Sequence, residues 1–165
     1  MNNKEKPIQF LVRGAVIAAL YIVLTLIFSP ISFGPGQIRV AEVLTILVLF
    51  TPSAIPGLFV GCLLGNLLAG AIITDVIFGS IATLIGAALG YLLRSNRWLV
   101  PIPAILANAV VLPFVLKYGY GFDLPLILIG LYVGVGEFIS CFIFGEIFAS
   151  ALLRRQNHLQ QKKEE

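Results

Sequence analysis

The chain has 165 residues, 59% of them hydrophobic and only 12% charged, with a mean hydropathy of +1.00. One soluble domain of this length cannot hide that much apolar surface, and soluble chains run at about 25% charged, so the composition excludes a soluble globular protein and points to an all-α integral membrane protein. The net charge of +3 sits mostly at the two ends and in one internal loop, where it reads as a topology signal and not as a nucleic-acid surface.

Taken in order, polar residues 1–6 and Pro7 lead into a first apolar segment, about 8–28, long enough to cross a hydrocarbon core of ~30 Å. It carries Gly14-xxx-Ala18 and Ala15-xxx-Ala19, spacings that admit a close helix neighbour, either within the chain or on another subunit. The run from Ser29 to Gly36, SPISFGPG, holds two prolines and two glycines and must loop, with Phe33 as its apolar tip. The second segment, about 38–51, has to end before Pro52 and at roughly 20 Å is too short to span alone. Arg39 and Glu42 are then left below the membrane surface in a hollow that the loop covers.

The third segment, about 55–72, has a Gly57, Gly61, Gly65 stripe suited to tight helix contact, with Asn66 beside it. Thr74 and Asp75 open the fourth, about 74–93, where Asp75 either caps the helix or meets a ligand. A basic loop from Arg94 to Trp98, with Trp98 as interfacial anchor, leads to the fifth segment, about 99–116, which holds Pro101, Pro103, Pro113 and a central Asn108. After the loop KYGYGFD, the sixth segment, about 124–153, exceeds the length of a perpendicular crossing. Residues 154–165 form a polar tail, expected on the cytoplasmic side, without a core-forming pattern.

Six transmembrane helices in one membrane domain put nine of the eleven basic residues on one side, leaving Arg39 and Lys117 on the other. The excess of Lys and Arg then places both termini in the cytoplasm. With this threading Arg39, Glu42, Asn66, Asp75 and the Lys117 loop share the external half, and convergence from several helices is a site signal. Arg39 and Glu42, three apart, can also simply neutralise each other. Glu137 and Glu146, nine apart, face opposite ways. Glu137 serves either a ligand or an interhelical hydrogen bond; Glu146 serves a partner protein, an internal pair or the interface. Asn108 is either interhelical glue or a ligand contact.

No Walker A, GxSxG or HExxH motif is present, so no catalytic residue is expected and the chain reads as a non-enzyme without cofactor. Cys62 and Cys141 lie in apolar sequence and the one histidine, His158, is in the tail, so no disulfide or metal site is expected. The chain is too short for the usual pair of transporter repeats; moving a solute would require partners.

The blocks Gln37-Ile-Arg39-Val-Ala-Glu42-Val-Leu, Phe50-Thr-Pro-Ser-Ala-Ile-Pro-Gly-Leu-Phe59, Gly61-Cys-Leu-Leu-Gly-Asn66 and Asp75-Val-Ile-Phe-Gly-Ser-Ile-Ala-Thr83 resemble the QueT family. Those proteins are substrate-binding S components of energy-coupling factor transporters, assigned to queuosine precursors. The resemblance implies a six-helix S-component bundle in the bacterial plasma membrane, an external lid in the first loop, and no ATPase of its own. It also implies a transmembrane coupling subunit docked on helix one, where Ala15-xxx-Ala19 is similar to the family's docking pattern, and two cytoplasmic ATPase subunits. A deazaguanine offers an N–H and an amine beside a carbonyl. Glu42 or Glu137 suits the donors, Gln37, Arg39, Asn66 or Asn108 the carbonyl, Asp75 or the other glutamate an aminomethyl cation, and Phe33 the ring. A non-transporting membrane scaffold or assembly subunit, or an S component for another vitamin-like solute, is the alternative. An intramembrane hydrolase is a weaker third.

Overall fold

The computed structural model describes residues 7–32 and 37–164. Helix α1 (Pro7–Ile27) is followed by a single turn, α2 (Ser29–Ser32), a 3₁₀ helix (Val40–Leu49), α3 (Ala54–Leu68), α4 (Ile73–Leu92), α5 (Ile102–Phe114), α6 (Leu126–Glu137) and α7 (Gly145–Glu164). Among the described residues there is no strand. Among the described residues, four stretches, Pro7–Ile27, Ile73–Leu92, Arg97–Gly119 and Leu126–Lys162, are long and apolar enough to cross a membrane; Val40–Leu49 and Ala54–Leu68 are apolar but shorter.

The second segment is not an α-helix but ten residues wound as 3₁₀. The steeper rise of about 2.0 Å per residue lets this short piece reach roughly 20 Å, and three residues per turn stack Glu42, Thr45 and Val48 on one side. It is the axis of the molecule, packed by α1, α3, α4, α7 and the turn between α6 and α7. The packing is inverted relative to a soluble protein. Ile8, Leu11, Leu68, Val110, Ile127 and Leu131 face outward, while Arg39, Glu42, Asn66, Asp75, Asn108 and Glu137 are buried, as expected where lipid is the outer solvent.

With no water-driven hydrophobic effect between helices in lipid, close packing holds them together. Along α1 and α3 the small residues interlock: a Cβ on Gly57 would lie 2.6 Å from the Gly14 carbonyl oxygen, and one on Gly61 2.7 Å from Tyr21 Cβ. Gly14 and Ala18 thus pack inside the chain, whereas Ala15 and Ala19 lie on the exposed face of α1.

Prolines act differently along α5. Pro103 stands in the first turn, where no N–H is needed, and Pro113 lies inside the helix, which continues through it into a π turn, Val115–Gly119. A second π turn, Phe138–Phe144, joins α6 to α7 in one rod. The polar tail continues this rod as helix to Glu164. Its Arg, Gln, Lys and Glu are good helix formers, and extending an existing helix avoids the cost of nucleation.

Candidate functional site

The side chains of the polar cluster come from the 3₁₀ helix and from α1, α3, α4, α5, α6 and the turn after α6. Arg39 stands at its N-terminal boundary and Glu42 in its first turn, both buried. Arg39 makes no direct ion pair or hydrogen bond with Glu42 among the described contacts. Its Nη1 lies 3.7 Å from Asp75 Oδ1 on α4, and its Nη2 donates to Asn66 Oδ1 on α3 at 3.2 Å and to Cys62 Sγ at 3.6 Å. Glu42 is held from other helices: Oε1 accepts from the Tyr21 hydroxyl on α1 at 2.7 Å and from Thr83 Oγ1 on α4 at 2.6 Å. Thr45, one 3₁₀ turn on, donates to the Glu42 carbonyl at 2.7 Å.

Asp75 does not cap α4, whose N-cap is Ile72 without a side-chain bond. It is buried in the first turn, where it also accepts from the Tyr120 hydroxyl at 3.1 Å. Tyr120, in the loop after α5, has its phenol pushed up to about 12, first by burial and then by the negative charge of Asp75. Lys117 donates to the Leu124 carbonyl at 3.0 Å and closes that loop.

Glu137, the last residue of α6, reaches the same centre. Carboxylate oxygens of Glu42 and Glu137 and the sulfur of Cys141 lie within 4.8 Å of one another. The Cys141 Sγ lies 3.3 Å from Glu137 Oε2 and 3.6 Å from the Glu42 carbonyl oxygen, its single proton serving one of the two at a time. Asn108 on α5 is fully buried beside Glu137. Gln37 is buried where the chain leaves the first loop. Its carbonyl rests so closely on Gly136 that a Cβ there would collide with it. Glu146 turns away and pairs with Arg97 at 2.9 Å, Arg97 also donating to Ser150 at 3.2 Å.

The structure therefore brings Gln37, Arg39, Glu42, Asn66, Asp75, Asn108 and Glu137 into one buried region; Phe33 lies outside the described residues. Sequence reasoning missed Tyr21, Cys62, Thr83, Tyr120 and Cys141. The one available signal was spacing: Cys62 lies four residues before Asn66, and Cys141 four after Glu137, each sharing a helix face with its polar partner.

Several polar atoms of the cluster have no hydrogen-bond partner: Glu42 Oε2, Glu137 Oε1, Gln37 Nε2 and both amide atoms of Asn108. Burying such groups unsatisfied costs about 1–3 kcal/mol each, more for charged ones. Together they present acceptors, a donor and an ambivalent amide, a set that a polar solute with both donors and acceptors can satisfy. By contrast, a groove of about 460 Å³ between α4 and α5, lined by residues such as Phe78, Val110 and Phe114, is apolar.

A family model described as QueT transporter matches residues 11–154. Over 92 residues the chain is 38% identical to the queuosine precursor transporter QueT of Lactococcus lactis subsp. cremoris (strain MG1363), an alignment covering 54% of this chain and 54% of that relative. The chain thus spans about half the length of the curated relative it matches. No solved structure matches. With that family match across most of its length and several membrane-length apolar helices, the chain is a multi-pass protein of the bacterial cell membrane and belongs to the QueT transporter family.

Proposed function

We propose that this protein is the solute-binding subunit of an energy-coupling factor importer and that it binds a queuosine precursor, a 7-deazaguanine-type base, at the buried cluster around Arg39, Glu42, Asn66, Asp75, Asn108 and Glu137. The observation that carries this reading is the set of unpartnered atoms in that cluster, on a chain of a transporter family. A deazaguanine's ring N–H and exocyclic amine suit Glu42 Oε2 or Glu137 Oε1, and its carbonyl suits a donor from Asn108 or Gln37.

In this reading the chain threads the membrane six times, the two shorter apolar helices making the second and third crossings, with both ends in the cytoplasm, which the distribution of basic residues supports. Ala15 and Ala19, exposed on α1, receive the transmembrane coupling subunit, and two cytoplasmic ATPases power release inward.

Titration calorimetry on the purified protein with 7-deazaguanines, purines and water-soluble vitamins tests the substrate. Saturable binding of a deazaguanine, weakened at least about tenfold by Asn108→Leu, is expected, since it removes two groups that pair with ligand. Binding of a vitamin alone would move the substrate to another class, and binding of nothing would leave a scaffold subunit.

A further inference from the structure

We propose that the hollow between the turn Arg97–Leu99 and α7, far along the chain from the polar cluster, is a binding site for the headgroup of an anionic phospholipid such as phosphatidylglycerol.

The hollow has a volume of about 420 Å³ and is lined by Arg97 and Trp98 on one side and by Glu146, Ile147, Ser150 and Arg154 of α7 on the other. Glu146, Ser150 and Arg154 follow one another at intervals of four and so share a helix face. At 1.5 Å per residue, Arg154 lies about 12 Å along the helix from Glu146. Arg154 and Arg155 end the apolar run of the last span, and Trp98 is exposed opposite them. Basic residues and an indole mark the membrane–water boundary, the depth at which lipid phosphates lie.

Charge decides the occupant. Glu146 is buried on the floor of the hollow, 2.9 Å from Arg97 Nη2, which also donates to Ser150 Oγ at 3.2 Å. That pair is neutral, and Arg154, exposed at the rim, adds one positive charge to the lining. One phosphodiester carries the charge that matches it. Arg97 Nε is buried and has no hydrogen-bond partner, and its guanidinium is held 4.6 Å from the centre of the Trp98 ring. An unspent guanidinium donor beside a second arginine is the chemistry that receives a phosphate oxygen. The Glu146 carboxylate repels an anion from the floor, so the phosphate stays at the rim between Arg97 and Arg154. From there toward the middle of the span, α7 and the π turn before it expose Ile143, Phe144 and Ile147, an apolar track for acyl chains that a soluble phosphate cannot use. A lipid seated in this way ties the α4–α5 turn to α7. Basic pockets between membrane helices recognise lipid headgroups by this combination of charge and apolar wall.

Native mass spectrometry of the full-length protein in detergent, titrated with phosphatidylglycerol or with phosphatidylcholine of equal chain length, tests the site. One phosphatidylglycerol should bind at least about fivefold more tightly than phosphatidylcholine, the preference expected from one arginine at a lipid surface. Arg154→Gln, an exposed substitution that leaves the Arg97 and Glu146 pair intact, should bring the two affinities together without changing the melting temperature. Ser150→Leu, which fills the hollow, should remove the tightly held lipid. Lys162→Gln is the control: the same loss of charge about two helical turns farther along the tail should leave the preference unchanged. Equal affinity of the wild type for the two lipids would overturn the proposal. Equal effects of Arg154→Gln and Lys162→Gln would do so too, by showing a diffuse attraction of the basic end and not a site. Displacement of bound phosphatidylglycerol by glycerol phosphate would also overturn it, because the hollow would then take a soluble anion in place of a lipid.

Discussion

Arg39 illustrates how a buried charge is made tolerable at the level of one residue. Its guanidinium meets Asp75, Asn66 and Cys62 at once, so removing the counter-charge while keeping the cation is more damaging than removing both. Asp75→Asn should cost about 3–5 kcal/mol of stability, the range for breaking one half of a buried pair, seen as a lowered melting temperature in detergent. An Arg39→Met, Asp75→Leu double variant should recover much of that loss. Asp75 also has a partner outside the spans. Because burial and the Asp75 charge raise the Tyr120 phenol to about 12, against about 10 in an unfolded chain, the protonated form is favoured by folding. The stabilisation is therefore complete below pH ~10 and lost as pH rises toward 12. An alkaline melting series should show this slope in the wild type and a shallower one in Tyr120→Phe.

At the level of elements, the chain depends on how closely α1, α3 and the 3₁₀ helix approach. Gly61 places α3 against Tyr21, the residue that donates to Glu42. Gly61→Ala would push Tyr21 from its position, and we expect a loss of about 1–3 kcal/mol, typical of overpacking, with a weakened response to ligand in the same thermal assay. An equal melting temperature for Gly61→Ala and wild type would refute the tight contact. The polar residues of this region were readable in the sequence because an Arg, Glu, Asp or Asn within an apolar run is costly enough to need a reason. Tyr21, Thr83, Cys62 and Cys141 were not, because such side chains are ordinary packing residues in membrane helices and only the tertiary arrangement shows which face they present. The same limit applies to partner choice. Spacing alone left Arg39 and Glu42 open to a local pair, and α4 supplies a different partner for each, Asp75 and Thr83. Winding was equally hidden: nothing in the composition of Val40–Leu49 or of the π turns at Val115–Gly119 and Phe138–Phe144 sets them apart from α-helix.

For the whole molecule, the division of small residues on α1 separates folding from assembly. Gly14 and Ala18 are used up against α3, while Ala15 and Ala19 face outward beside exposed Leu11, Val12 and Val16. A second helix can approach there without disturbing the bundle. If this face receives the coupling subunit, enlarging it should leave the isolated protein intact and prevent assembly. Ala15→Leu with Ala19→Leu should change stability by no more than about 0.5 kcal/mol, as for surface substitutions, and leave solute binding unaltered. Co-purification with the coupling subunit and ATPases, and uptake by cells, should both be lost. Gly57→Ala is the contrasting control, because its Cβ would strike the Gly14 carbonyl and impair the fold itself. Unimpaired uptake by the double leucine variant would move the docking face off α1, to another of the apolar faces the molecule exposes.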